Sequence, residues 1–214
     1  MICSQSRRVG LACLLGIVSQ AVATSEGPSC STAADAMTPI GFLRAHDARA
    51  EEILAVAPDD TLSGPLREQI KDHINNAFDF AELSRLALGD HWNERTPAER
   101  AEFVAVFSDI IREGNFDTFL NYYRKGTIAY QGEEISGAQA SVSAVVPLDQ
   151  ADEIGLVYKL HRVNGSWRVF DLVIDDASSA DGHRRRHARY LKKHTYDELI
   201  QALRNQLERL SSRS

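Results

Sequence analysis

Phe78-Asp79-Phe80-Ala81-Glu82-Leu83-Ser84-Arg85-Leu86-Ala87-Leu88-Gly89-Asp90-His91-Trp92 is followed, three residues on, by Thr96-Pro97-Ala98-Glu99-Arg100-Ala101-Glu102-Phe103. The first run reads as a short apolar helix. Leu83, Leu86 and Ala87 recur at spacings of three and four, which puts them on one helical face. Gly89 follows the last apolar residue, where a left-handed cap ends a helix. Thr96 is a good N-cap, Pro97 suits the first helical position, and Glu99 completes a capping box. The stretch therefore specifies a corner between two helices, with Trp92 in it.

Downstream, the helix from Pro97 carries a wide apolar stripe of Phe103, Val106, Phe107, Ile110 and Ile111. Gly114-Asn115 interrupts the stripe, and Phe116, Phe119, Leu120 and Tyr123 resume it with shifted phase. A glycine there costs about 1 kcal/mol against alanine and marks an expected bend. The stripe has two readings, core or the wall of a cavity for an apolar ligand, and the sequence does not separate them. Four runs rich in Val, Ile and aromatics come next: 127–131, 140–146, 153–162 and 167–175. Asn164-Gly165 between the last two is a strong hairpin signal. By alternation, Ile154, Leu156, Tyr158 and Leu160 share one face of the third strand. Phe170, Leu172 and Ile174 share one face of the fourth, and Trp167, Val169, Asp171 and Val173 the other. Asp171 is the polar exception on an apolar strand. It is either a structural hydrogen-bonding group or a general base.

Ser178 or Ser179 opens a C-terminal helix bearing Arg184, Arg185, Arg186, Arg189, Lys192 and Lys193. The basic run is either a solvated surface or an attractor for anionic headgroups or an acidic partner face. Thr195 caps a last helix with Leu199, Ile200, Leu203 and Leu207 near one face. Upstream, Thr38-Pro39 caps a helix with Ile40, Leu43, Ala50, Ile53 and Leu54, and Pro58-Asp59-Asp60 reads as a loop. Gly64-Pro65 starts another helix, with Ile70, His73, Ile74 and Ala77 on one face. His73 has no partner at pairing distance along that helix and reads as a helix-face residue.

The amino terminus reads as a secretory signal over residues 1–23. Arg7 and Arg8 precede the mostly apolar run 9–18, and Ala21-Val22-Ala23 offers a small-x-small cleavage site. That run is shorter than the roughly 20 residues a membrane-spanning helix needs. Cleavage would remove Cys3 and Cys13 and leave Cys30 without an intramolecular partner. It would also take the formal charge from −6 to −8 by removing two arginines. An acidic chain argues against general nucleic-acid binding. The organisation expected is a signal at 1–23, a flexible leader at 24–37, one domain at 38–210 and a tail at 211–214.

No phosphate loop, nucleophile elbow or metal-ligand spacing is present. His183 and His187 stand at i and i+4, but no third ligand is evident and neighbouring arginines would repel a cation. No metal, no cofactor and no enzyme activity are expected.

The run from Phe78 to Phe103, together with "GSWRVFDLVID" at 165–175, resembles the MlaC-type (toluene-tolerance) family of periplasmic lipid-binding proteins. The resemblance extends from about Phe42 to Leu210. It implies an α+β fold, a curved antiparallel sheet of about four strands with N- and C-terminal helices packed on it, enclosing an apolar pocket. It implies a soluble periplasmic shuttle, monomeric, carrying phospholipid between an outer-membrane lipoprotein complex and an inner-membrane ABC transporter. The alternatives are a bridging adaptor with a filled core, an enzyme on a related cone-shaped fold with Asp171 as base, and a shuttle for another apolar cargo. Stripe and alternation name the pocket lining as Phe107, Ile110, Phe119, Tyr123, Tyr130, Leu156, Tyr158 and Val173. Arg184, Arg185 and Arg189 are named for headgroup or partner docking. The chain departs from the family at Ser179-Ala180-Asp181-Gly182-His183-Arg184-Arg185-Arg186-His187, where family members carry aromatic and aliphatic residues. That departure puts the pocket mouth, and hence the cargo, in question.

Overall fold

Among the described residues, six helices flank one five-stranded antiparallel sheet. The computed structural model describes residues 37–56, 62, 64–125, 128–147 and 153–212, all within one unit, Thr32–Ser214. The expected signal, almost all of the leader, Cys30, the Pro58-Asp59-Asp60 loop and the end of the tail lie outside the described residues. Helix α1 is Pro39–Leu54, α2 Gly64–Asn75, α3 Phe80–Leu88 and α4 Pro97–Lys125. Strands β1 Ala129–Ser136, β2 Gln139–Pro147, β3 Glu153–Val163, β4 Ser166–Ile174 and β5 Ala177–Ser178 follow, then α5 Ser179–Leu191 and α6 Tyr196–Ser211. Among the described residues no helix is long and apolar enough to cross a membrane.

The corner forms as its residues dictate. Asp79 caps α3, its carboxylate accepting from the Glu82 N–H at 3.0 Å. A single 3₁₀ turn, Gly89–Trp92, follows. Gly89 has φ 61° and ψ −135°. That is outside the left-handed helical well, yet still a region closed to most side chains. A Cβ there would also meet the Arg184 side chain at 3.0 Å, so any larger residue would have to push that side chain aside. Thr96 and Glu99 close the capping box in both directions, at 2.7 and 3.3 Å. Arg100 ties the turn to α4 by donating to the Trp92 carbonyl at 2.9 Å. Helix α4 then runs uninterrupted through Gly114, so the phase shift in its stripe moves burial from one neighbour to another. Phe103, Phe107 and Ile110 pack among α3, α5 and α6, and Phe116 and Leu120 pack under α1 and α2.

The sheet is a simple meander in chain order. A bulge in β4 sets its chemistry: Lys159 pairs with Asp171 and Leu160 with Val169, leaving Phe170 extra. Directly paired residues share a face. Trp167 and Val169 therefore align with Leu172 and Ile174, opposite Arg162, Leu160, Tyr158 and Leu156. This corrects the alternation expected from the sequence, which placed Val173 with Val169. One extra residue flips the phase of everything after it. The outer edge of β4 beside Val169 is covered by the decisive stretch itself. Asp79 N–H donates to the Val169 carbonyl at 2.7 Å, and Val169 N–H to the Ala77 carbonyl at 2.9 Å. Phe78 and Phe80 are thereby held between the sheet and the helices.

Candidate functional site

Between α3, α4, α5 and the end of β4 lies a cavity of about 470 Å³. Phe78, Phe80, Leu83, Phe119 and Leu172 make its apolar wall. Asn115 and Thr118 on α4, Ile174 and Ala177 on the sheet, and Arg186 on α5 are lining residues that are also exposed, so they mark its rim. Helix α5 contributes Ser179, Gly182, His183 and Arg186. Those four follow the i, i+3, i+4, i+7 spacing of one helical face.

The groups at the polar side are defined by hydrogen bonds. Asp171 accepts from the Ser178 hydroxyl at 2.6 Å and from the Ala180 N–H at 2.9 Å. Ser178 in turn accepts from Asp181 N–H at 3.1 Å. Both oxygens of Asp171 are thus engaged in fastening α5 to the sheet. His183 stands edge-on to Phe107, with ring centroids 4.9 Å apart. Burial, then the neighbouring His187 and Arg186, lower its pKa to about 4. It therefore faces the cavity as a neutral ring at neutral pH. His187 donates from Nδ1 to the Ala87 carbonyl at 2.9 Å and is likewise shifted down, chiefly by burial. Among the described residues no group of three or more His, Cys, Asp or Glu is placed to hold a metal.

A second space sits behind Phe78 and Phe119, which line both. It measures about 10 Å³, roughly the room one water needs. Its walls include His46, Asp47, Tyr123, Tyr130 and Tyr158. Tyr130 donates its hydroxyl to Asp47. Burial pushes the Asp47 carboxyl up, against the opposing pull of the tyrosine hydrogen bonds. His46 stacks on His73 at 4.1 Å, and burial with the His73 charge lowers its pKa to about 4. His73 itself reaches the His46 carbonyl from Nε2 at 2.8 Å, a structural contact between α2 and α1.

The residues named from the sequence divide among these places. Phe119 lines the cavity. Tyr123, Tyr130 and Tyr158 line the small void with it. Phe107 and Ile110 line a separate cleft of about 110 Å³ against α5 and α6. Leu156 is 1% exposed inside the sheet core with Leu43. Val173 is half-buried on the opposite face of β4 and does not reach the cavity. Arg184 and Arg185 pair with Asp181, at 2.9 and 3.9 Å, and Arg189 is exposed. Arg186, in the same run, is the arginine that meets the cavity. Arg112 on α4 lies 4.9 Å over the ring of Phe80. Phe78, Phe80 and Leu83 were legible as apolar but read as a corner. The helical spacing of Ser179, Gly182, His183 and Arg186 was the signal that could have found the α5 wall.

No curated protein matches the sequence. Among solved structures, the chain is similar to a phospholipid-binding protein from Ralstonia solanacearum, determined in complex with a phospholipid. The TM-score is 0.66 at 17% identity, over 79% of this chain and 97% of that one, a likeness of fold. Over residues 49–205 the sequence matches the model of the MlaC protein family, and the chain belongs to that family.

Proposed function

We propose that this protein is a non-catalytic lipid carrier of the periplasm, taking phospholipid between outer-membrane and inner-membrane ABC transporter components. The observation that carries the reading is the cavity: an apolar wall with an arginine-bearing rim, in a fold shared with a structure that holds a phospholipid. A methylene left in water costs about 0.8 kcal/mol, so an acyl chain crosses an aqueous space only with a cover. The same cavity weighs against an adaptor with a filled core. The double engagement of Asp171 by Ser178 and Ala180 weighs against its use as a base.

Direction comes, on this reading, from the partners and from ATP hydrolysis by the transporter. The test is native mass spectrometry of the protein secreted with its own amino terminus. Bound lipid and a start near Thr24 are the expected results. A lipid-free protein that stays empty when offered vesicles would end the carrier reading. An intact, membrane-embedded amino terminus would end the soluble one.

A further inference from the structure

The mouth of the cavity has two unlike sides. On α4 the lining residues Ile111, Asn115, Thr118 and Phe119 keep the spacing of one helical face. Ile111 and Phe119 are half-buried, whereas Asn115 and Thr118 are exposed. On α5 the same order holds, with His183 half-buried and Arg186 exposed. Both helices thus turn from apolar or neutral in depth to polar at the rim. The sheet side of the rim is Ile174 and Ala177, whose side chains donate no hydrogen bond.

The donors on the helix side have spare capacity. No side-chain hydrogen bond or ion pair engages Arg186, Asn115 or Thr118 among the described residues, whereas Arg184 and Arg185 on the same helix hold Asp181. Asp171, the carboxylate on the cavity wall, gives its oxygens to Ser178 and Ala180. It sits at the N-terminus of α5, where the helix dipole meets its charge. His183 faces the cavity uncharged. Arg186 is therefore the cation of the described lining at neutral pH. Its forked donors match phosphate oxygens, and a hydroxyl and a carboxamide add further donors.

We infer that the helix side of the mouth is a phosphate subsite, in which Arg186 meets a phosphate ester and Asn115 and Thr118 supply further donors. This rests on the carrier reading above and makes the phosphate of the head, beside the apolar chains, a determinant of which lipid is carried. Delipidated protein is offered mixed vesicles of phosphatidylglycerol, phosphatidylcholine and diacylglycerol with the same acyl chains, and adducts are counted by native mass spectrometry. Both phospholipids should load over diacylglycerol by about tenfold or more. Arg186→Gln should cost both phospholipids about tenfold and diacylglycerol far less, with the melting temperature unchanged because the position is exposed. Arg186→Lys should recover part of that loss, and Thr118→Val should show a smaller one. Glycerophosphate, the head without its chains, should not bind alone. Diacylglycerol loading as well as the phospholipids, or a preference that survives Arg186→Gln, would overturn the phosphate subsite and leave the carrier reading intact. Phosphatidylcholine that loads only as well as diacylglycerol would overturn it in favour of net charge. Tight, Arg186-dependent binding of glycerophosphate alone would overturn the lipid as the source of the phosphate. Failure of all three lipids to load would overturn the carrier reading and this inference together.

Discussion

Two spaces share the wall formed by Phe78 and Phe119, and they differ in what closes them. The cavity on the α5 side is walled by phenylalanine and leucine and rimmed by exposed polar groups. The void on the α1 side is shut down to about 10 Å³ around Asp47, His46 and three tyrosines. The difference shows that aromatic richness alone does not make a lipid pocket. Tyrosines whose hydroxyls find a buried carboxylate pull elements together, while phenylalanines with no such partner leave room. Helix α4 carries both kinds, with Phe119 at the divide and Tyr123 one turn further.

The sharpest way to break that comparison is to charge one wall. Ile111→Asp places a carboxyl in the apolar wall of the cavity at a half-buried position, where an acyl chain would strip it of water. Lipid co-purification should be lost entirely from a protein that still folds, checked by mass spectrometry beside circular dichroism. The same change at Leu156, 1% exposed in the sheet core, should instead cost on the order of 4 kcal/mol of stability, read by urea unfolding. If both variants folded equally well and both lost lipid, the sheet core and the cavity would be one space.

Each side also carries a histidine held neutral. His46 and His183 both fall from 6.5 to about 4, burial being the leading cause. A basic group whose folded value is depressed leaves the unfolded chain to take protons first. Stability is therefore full above about pH 6.5 and is lost as the pH falls toward 4. By pH 5 each contributes a loss of about 2 kcal/mol. Asp47, shifted up, works the opposite way, because its folded form gains the proton first. The melting temperature should drop between pH 7 and pH 5, and His183→Leu should remove part of that drop. A pH-independent melting point in the variant and parent alike would show that neither ring is held neutral.

Tyr130→Phe sharpens the void. It removes the donor to Asp47 and should cost about 1–3 kcal/mol at neutral pH, with lipid occupancy unchanged. The loss should shrink in acid, where Asp47 takes its proton. Urea unfolding at two pH values reads both parts.

Much of the architecture stood in the residues. The capping box at Thr96, the cap at Thr195, the Asn164-Gly165 turn and the helix stripes are local chemistry, and the structure repeats them. The sites divide differently because they depend on non-local facts. The bulge at Phe170 exists through pairing with β3, and it moves Val173 off the face its spacing suggests. Phe78 and Phe80 read as part of a corner because nothing local shows that residues 77–79 will pair with Val169. Tyr123 and Tyr130 read as lining because their apolar rings are legible and their common hydrogen-bond partner, Asp47, lies on α1 far away in sequence.

The smallest effect on stability is expected on the outer face of α5. His183 and Arg186 turn inward to the cavity, while Arg185 and Arg189 lie on solvent. Arg185 reaches Asp181 only at 3.9 Å, with both side chains at least half exposed, and such a contact is worth a few tenths of a kcal/mol. Reversing Arg185 and Arg189 to Glu should shift the melting temperature by no more than about 1–2 °C. If the outer face docks on anionic lipid or on an acidic partner, the same variant should slow lipid delivery to phosphatidylglycerol vesicles. The parent's rate should also fall with salt, since screening at 0.1 M acts over about 10 Å. Static affinity for a lipid already in the cavity should not change, because the apolar wall and Arg186 remain. A rate indifferent to salt and to charge reversal would confine the useful arginines of α5 to its inner face and leave the outer ones as solvated surface.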